Sequence, residues 1–376
     1  TQLALINSAA FWIYAVGAFL FGRLGDGTRR SRLIVGGLVF WSVATGLGSL
    51  ATGFALLIFA RGLVAVGEAT YYPTGTALIS DWHRTAMRGR ALSVHQTGVL
   101  AGAGIGALFA GLIADRFGWR VPFVVLAVLG LVIGGVLFKW LRDAPVRRPP
   151  ALASDTPMRD GPLRTVLRRP PALYICIVFF LASGASAGIV VWAPTYLHDS
   201  LHLDLAGSAF YGYVTSSIAG LIFVPVGGLL AERLAVRTPL GAFYTVAVGL
   251  AFAGVLLLPL GFAGSAAAFG WILFASSAGK GLFDGCIYAA MHDLVPAEAR
   301  ATAVGLMTMI GFGGAGLTPI LVAQASEAVG MAAAMTSMSI LYIVAAVLLF
   351  ATRAAARRTV VETRAGEAEV HSESHS

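Results

Sequence analysis

The sequence predicts an all-α polytopic membrane protein, and its composition, its apolar runs and the placement of its basic residues support that class. Mean hydropathy is +0.81. Of the 376 residues, 57% are hydrophobic and only 12% are charged, which is too little polar surface for a soluble globule. The apolar runs are continuous, whereas a membrane β-barrel would show short alternating segments. A helical membrane protein is therefore expected.

Eleven apolar runs approach or exceed the roughly 20 residues that a helix needs to cross a bilayer. Helices suit this environment because they pair their own backbone polar groups. The first run lacks the basic start of a cleavable signal and leads directly into further runs. The predicted spans cover approximately residues 3–21, 33–50, 56–78, 91–114, 121–141, 172–197, 208–231, 240–260, 266–291, 301–323 and 331–351.

The basic residues between these spans sort to one side of the predicted membrane. The opposite side carries only Arg116 and Arg120. By the positive-inside rule, the Arg-rich side is cytoplasmic, with Thr1 outside and the C-terminus at Ser376 inside. A multi-pass protein of the cell inner (plasma) membrane is expected, and topology explains the net charge of +8 better than a nucleic-acid partner does.

An internal repeat divides the chain into two parallel halves. The segment from Gly22 to Arg30 recurs from Gly228 to Arg237, and 228 − 22 = 206 positions separate the two copies. In the second half, one additional complete span precedes the repeated segment. The first half has no matching span before its copy. We therefore expect twelve spans, eleven of them present and helix 1 missing. The predicted units are an N-terminal bundle at 1–141, a cytoplasmic linker at 142–170, a C-terminal bundle at 171–352 and a disordered cytoplasmic tail at 353–376.

The repeated segment resembles the loop signature of the major facilitator superfamily. The first copy has Gly22, Asp26 and Arg30 at the matching positions, although Arg29 stands where a glycine is expected. The second copy has Gly228, Glu232 and Arg237, with Glu232 in place of Asp. The resemblance implies two six-helix bundles that alternate access, and it makes these six residues a conformational latch. The alternative is a basic loop that only sets topology.

Two ionisable residues, Arg61 and Glu68, interrupt the third predicted run. They are seven residues apart and share a helix face, separated by about 10 Å. Charges inside a membrane are costly and commonly mark a transport path. The pattern is similar to proton-coupled organic-anion (sugar-acid type) symporters and to spinster-like lipid transporters. It implies that Glu68 carries the proton and Arg61 assists an anion. A structural link, or an interfacial position for Arg61, is the alternative.

Further polar and aromatic side chains are candidates for a substrate cavity. Lys280 and Asp284 are spaced i,i+4, so they can pair on one helix face, and such a pair can be structural or line the cavity. A lone histidine can equally be a core residue, and tyrosines can serve helix packing. The complete set of cavity candidates is Arg61, Tyr71, Tyr72, His95, Gln96, Trp192, Lys280, Asp284 and Tyr288.

The sequence contains no pattern that indicates an enzyme, a cofactor or a metal site. Cys176 and Cys286 lie inside apolar runs and are expected to be small core residues. The expected protein is a monomeric secondary transporter in a lipid bilayer, carrying a small organic anion together with protons. A spinster-like lipid or amphiphile transporter is the first alternative. An inactive remnant or a non-transporting receptor is the second, because one helix is missing.

Overall fold

The computed structural model describes residues 2–144, 161–204, 207, 208 and 210–373. Within these ranges the chain is almost entirely helical and contains no β-strand. The all-α prediction is confirmed. Most of the predicted linker, residues 145–160, and the final residues 374–376 lie outside the described part.

Fourteen α-helices are described, together with short π and 3₁₀ segments at Phe210–Val214, Leu258–Phe262 and Ala297–Ala299. The first six are α1 (Gln2–Gly27), α2 (Arg30–Ser49), α3 (Phe54–Glu68), α4 (Tyr71–Trp82), α5 (Thr85–Phe117) and α6 (Arg120–Trp140). The remainder are α7 (Gly161–Leu167), α8 (Pro170–Leu201), α9 (Thr215–Ala235), α10 (Gly241–Leu257), α11 (Ala266–Leu294), α12 (Arg300–Val329), α13 (Met331–Thr336) and α14 (Met338–Glu373).

These helices agree with the predicted spans. Among the described residues, nine helical segments are long and apolar enough to cross a membrane, and α1 and α5 occupy the two other predicted positions. One predicted span consists of two helices, α3 and α4, which together cover Phe54–Trp82. At the break between them the Thr70 hydroxyl donates to the Gly67 carbonyl oxygen at 2.8 Å. This side-chain bond satisfies a carbonyl at the helix end.

Close helix contacts join the two halves. Helix α1 packs along α12, and α5 packs along α9 and α11. Glycines bring the α1 and α12 backbones together: a Cβ added to Gly22 would lie 2.5 Å from the Ala301 carbonyl oxygen, and one added to Gly305 would lie 2.5 Å from the Ala18 carbonyl oxygen. Small residues allow this kind of approach between membrane helices.

We call one end of the molecule the basic end: it is where α2 and α12 begin and where α4 and α11 end. The linker helix α7 lies there and buries Val166 in the core. Arg169, just before α8, donates to the Leu294 carbonyl oxygen at 2.7 Å and to the Thr363 hydroxyl at 2.5 Å. The end of the linker is therefore packed against the bundle.

The last helix continues where we expected a disordered tail. Since α14 extends to Glu373, residues 353–373 of the predicted disordered tail are described as helix. Ala356, Val360 and Thr363 recur at three- and four-residue intervals and are buried, so they form one packed face of the extension. Arg364 adds a hydrogen bond of 2.9 Å to the Pro239 carbonyl oxygen. The extension is thus anchored on the basic end.

Candidate functional site

A cavity of about 330 Å³ lies between the two halves, near the middle of the long helices. Helices α1 and α4 of the first half and α8, α11 and α12 of the second contribute its walls. Its lining residues are Tyr14, Tyr72, Phe179, Ser183, Ser186, Ala187, Val190, Lys280, Asp284, Tyr288, Thr308, Gly311, Phe312 and Ala315. The volume and the mixture of apolar walls with a few polar groups are those of a small-molecule site.

Lys280 and Asp284 supply the charge of this cavity. The Lys280 ammonium donates to both carboxylate oxygens of Asp284, at 2.7 Å and 2.6 Å. Their side chains are 20% and 29% exposed, so both charges can be reached from the cavity. The predicted i,i+4 pairing is present. Among the described residues, no other charged side chain lines the cavity.

Aromatic rings form much of the wall and connect the two halves. Tyr72 of α4 stacks on Tyr288 of α11, with ring centroids 5.8 Å apart. Tyr14 of α1 meets Phe312 of α12 at 4.9 Å. Phe179 lies 6.3 Å from Tyr288. The hydroxyls of the tyrosines add hydrogen-bonding groups to these apolar faces.

Four of the predicted cavity residues, Tyr72, Lys280, Asp284 and Tyr288, are in the lining. Tyr71, His95 and Gln96 lie behind the Tyr72 ring. The Tyr71 hydroxyl and His95 Nε2 share a hydrogen bond of 2.8 Å. The Gln96 amide is close to His95 and Tyr72. Trp192 is not in the lining, and its indole N–H donates to the Pro319 carbonyl oxygen at 2.9 Å.

Arg61 and Glu68 also lie outside the cavity lining. Arg61 borders a separate recess between α2, α3 and α6, which includes Thr45 and Phe123. Glu68 is exposed, and among the described side chains it has no hydrogen bond or ion pair. The buried residues of α3 are Ala60, Val64, Ala65 and Gly67, so neither Arg61 nor Glu68 belongs to the packed surface of this helix. Helical spacing alone does not reveal which face a neighbouring helix covers.

Asp26 links the two halves at the basic end. Its side chain is 0% exposed and accepts from the backbone N–H groups of Ala301 and Thr302 at 3.0 Å and 2.7 Å. These groups are at the start of α12, where a helix has unpaired donors and a partial positive charge. Asp26 also pairs with Arg30 at 2.9 Å. Arg30 reaches the second half itself, since it donates to the Ala297 carbonyl oxygen at 2.8 Å.

Further contacts between the halves surround this cap. Asp81, at the end of α4, pairs with Arg30 and, at 3.0 Å, with Arg300 of the second half. Arg88 of α5 pairs with Asp293 of α11 at 3.4 Å. Next to them, Ser80 Oγ and His292 Nδ1 share a hydrogen bond of 2.6 Å. Together these contacts close the basic end, one helical turn from Tyr288 of the cavity.

The second copy of the repeated segment makes weaker contacts. Glu232 pairs with Arg90 of α5 at 3.6 Å, and the two side chains are 29% and 54% exposed. Arg237 is exposed. A Cβ added to Gly228 would lie 2.6 Å from Ser93 Cβ, so this glycine, like Gly22, marks a close helix approach.

Several residues of the cavity and of the basic end were not predicted from the sequence. Asp81 was not considered, although a carboxylate at the end of a predicted span was a usable signal. Arg300 and Asp293 were not among the predicted site residues either. The cavity residues Tyr14, Ser183, Ser186 and Thr308 lie in apolar runs whose pattern does not distinguish a cavity wall from helix packing.

Comparisons with known proteins agree with this architecture. The hexuronate transporter of Bacillus subtilis (strain 168) is 28% identical over 242 residues, which cover 63% of this chain and 57% of that protein. Human protein spinster homolog 1 is 30% identical over 267 residues, covering 65% of this chain and 50% of that protein. The chain spans about half the length of the curated relatives it matches.

A solved structure shares the fold. The crystal structure of the human organic anion transporter MFSD10 superimposes with a TM-score of 0.76, covering 92% of this chain and 83% of that one, at 17% identity. A family model described as Major Facilitator Superfamily matches residues 1–310, most of the chain. The resemblance and the fold class predicted from the sequence are confirmed. This chain belongs to the Major Facilitator Superfamily, a family of membrane transporters.

Proposed function

We propose that this protein is a secondary active transporter that moves a small organic anion together with protons by alternating access. The observation that carries the proposal is the Lys280 ammonium, placed in a cavity between the two halves. A cation there can bind a carboxylate, while the Tyr72 and Tyr288 hydroxyls and rings can contact a hydroxylated carbon skeleton. The names of the relatives, among them the hexuronate transporter, support the same substrate class.

The contacts at the basic end support the alternating-access part of the proposal. The ion pairs of Arg88 with Asp293 and of Arg300 with Asp81 join the halves on one side of the cavity. Access to the cavity from that side requires these ion pairs to separate. Ion pairs can separate reversibly when each charged group becomes hydrated. With the basic end cytoplasmic in the inner membrane, as the positive-inside rule predicts, the described state is closed to the cytoplasm.

The proton-coupling roles of Glu68 and Arg61 stay predictions. Glu68 is an exposed carboxylate at the end of α3, beside the break that separates α3 from α4. Arg61 is near enough to act electrostatically on Glu68. Neither side chain is in the cavity lining, but Glu68 acts electrostatically on Tyr14 of the lining, so a coupling role for Glu68 would act through Tyr14.

Uptake by proteoliposomes tests the proposed function. The purified chain is reconstituted, and radiolabelled glucuronate uptake is measured with and without an inward proton gradient. We expect accumulation that requires the gradient and stops when a protonophore is added. Protein-free liposomes are the control. Uptake by facilitated diffusion alone would contradict proton coupling, and lack of uptake of any tested solute would favour the inactive or non-transporting alternative.

A lipid or amphiphile is the second candidate substrate, and the aromatic wall of the cavity favours it. Tyr14, Phe179 and Phe312 offer apolar faces that an acyl chain can contact. Human spinster homolog 1 is among the relatives. The same proteoliposomes can be offered a lysolipid. Lysolipid transport without glucuronate transport would replace the organic-anion proposal with this one.

A further inference from the structure

The pairing of Lys280 with Asp284 places a condition on anion binding. In the described state the ammonium is bonded to both oxygens of one carboxylate, so the charges of the cavity cancel. A substrate carboxylate that binds Lys280 competes with Asp284 for the same N–H donors. When it succeeds, the Asp284 carboxylate loses its cation, and an unpaired charge in a partly buried site is strongly unfavourable.

Proton uptake by Asp284 removes this cost. Among the described residues, the other titratable groups that line the cavity or lie in electrostatic range of Asp284 are phenols: Tyr288 on the same helix, Tyr72 on α4, Tyr14 on α1 and Tyr342 on α14. A phenol keeps its proton at neutral pH, so it cannot accept another. The lining residues of α8 and α12, such as Ser186 and Thr308, do not titrate.

We propose that Asp284 is a proton-binding site of this transporter and Lys280 its anion-binding residue, and that the substrate carboxylate displaces Asp284 from Lys280 while Asp284 takes up one proton. This inference rests on the proposed function. It assigns proton coupling to Asp284 of α11 instead of Glu68 of α3. The cavity is then neutral in both states: it holds Lys280 with ionised Asp284 when empty, and Lys280, a monoanion and protonated Asp284 when loaded. Transport of a monoanion is electroneutral.

The test measures proton uptake that accompanies glucuronate binding to the purified full chain. Calorimetry in buffers of different ionisation enthalpy gives the number of protons taken up. We expect one proton per glucuronate for the wild type, with affinity decreasing as pH rises.

Asp284→Asn mimics the protonated acid, so it should bind at least as tightly, take up no proton and lose the pH dependence. Lys280→Gln should weaken binding by about tenfold or more, because it removes a charge-assisted hydrogen bond.

Two further variants keep the result interpretable. Glu68→Gln tests the competing assignment of the proton to Glu68, and it should retain the one-proton uptake when Asp284 is the proton-binding site. Asp284→Glu should restore the proton uptake that Asp284→Asn lacks, which separates a titrating role from a structural one. Proton uptake that persists in Asp284→Asn, or disappears in Glu68→Gln, would overturn the inference alone. A wild type that neither binds nor transports glucuronate would overturn the proposed anion substrate, and the inference with it.

Discussion

The two copies of the repeated segment look equivalent in sequence but differ in structure. The Asp26 side chain of the first copy is inaccessible to solvent, caps the start of α12 and pairs with Arg30. Glu232 of the second copy is partly exposed and has a longer pair, at 3.6 Å, with the exposed side chain of Arg90. The acidic residue therefore links the halves by buried hydrogen bonds at one position and by a solvated ion pair at the other.

The glycines of the two copies behave alike. Gly22 brings α1 against the backbone of α12, and Gly228 brings α9 against Arg90 and Ser93 of α5. Both are contacts between the halves. The comparison shows that the two parts of the segment have separable roles: the glycine permits close approach in both copies, whereas the acidic residue caps a helix in only one.

Removal of the Asp26 carboxylate should have the largest effect. Asp26→Ala leaves two N–H groups at the start of α12 unpaired and takes one partner from buried Arg30. Breaking a buried charged contact of this kind costs about 3 to 5 kcal/mol. We expect the closed basic end to open, seen as a longer distance between spin labels at the exposed positions Arg29 and Glu298. An unchanged distance distribution would show that the cap does not hold the halves together.

Substitution of the two glycines should have an intermediate and similar effect. A methyl group at Gly22 meets the Ala301 carbonyl oxygen, and one at Gly228 meets the Ser93 side chain and the Arg90 backbone. Overpacking of this kind costs about 1 to 3 kcal/mol. Gly22→Ala and Gly228→Ala should each lower the thermal stability of the purified protein. Gly36→Ala is a suitable control, because a Cβ there has no neighbour within 4 Å.

Neutralisation of Glu232 should have the smallest effect. Its partner Arg90 is 54% exposed, and exposed ion pairs contribute about 1 kcal/mol or less. In the same spin-label experiment, Glu232→Gln should leave the distance distribution close to that of the wild type. A shift as large as that of Asp26→Ala would show that the second copy is an equal latch, and the contrast between the two copies would be wrong.

The fold class and the positions of the spans could be predicted from the sequence. Both signals are local: continuous apolar runs identify the segments that enter a bilayer, and the bias of Lys and Arg predicts their orientation. The helical continuation of α14 into the tail was not predicted. The many charged residues of the tail suggest disorder. Ala356, Val360 and Thr363 are nevertheless buried, and the core of the basic end that they pack against is formed only in the tertiary structure.

For the candidate site, the sequence by itself determined which side chains can carry charge inside the membrane: Arg61, Glu68, Lys280 and Asp284. It also determined the pairing of the last two, because i,i+4 neighbours meet on any helix. Only the tertiary structure decided that Lys280 and Asp284 line the cavity while Arg61 and Glu68 do not. The physical reason is rotation: helical spacing shows which residues share a face, but packing against neighbouring helices decides where that face points.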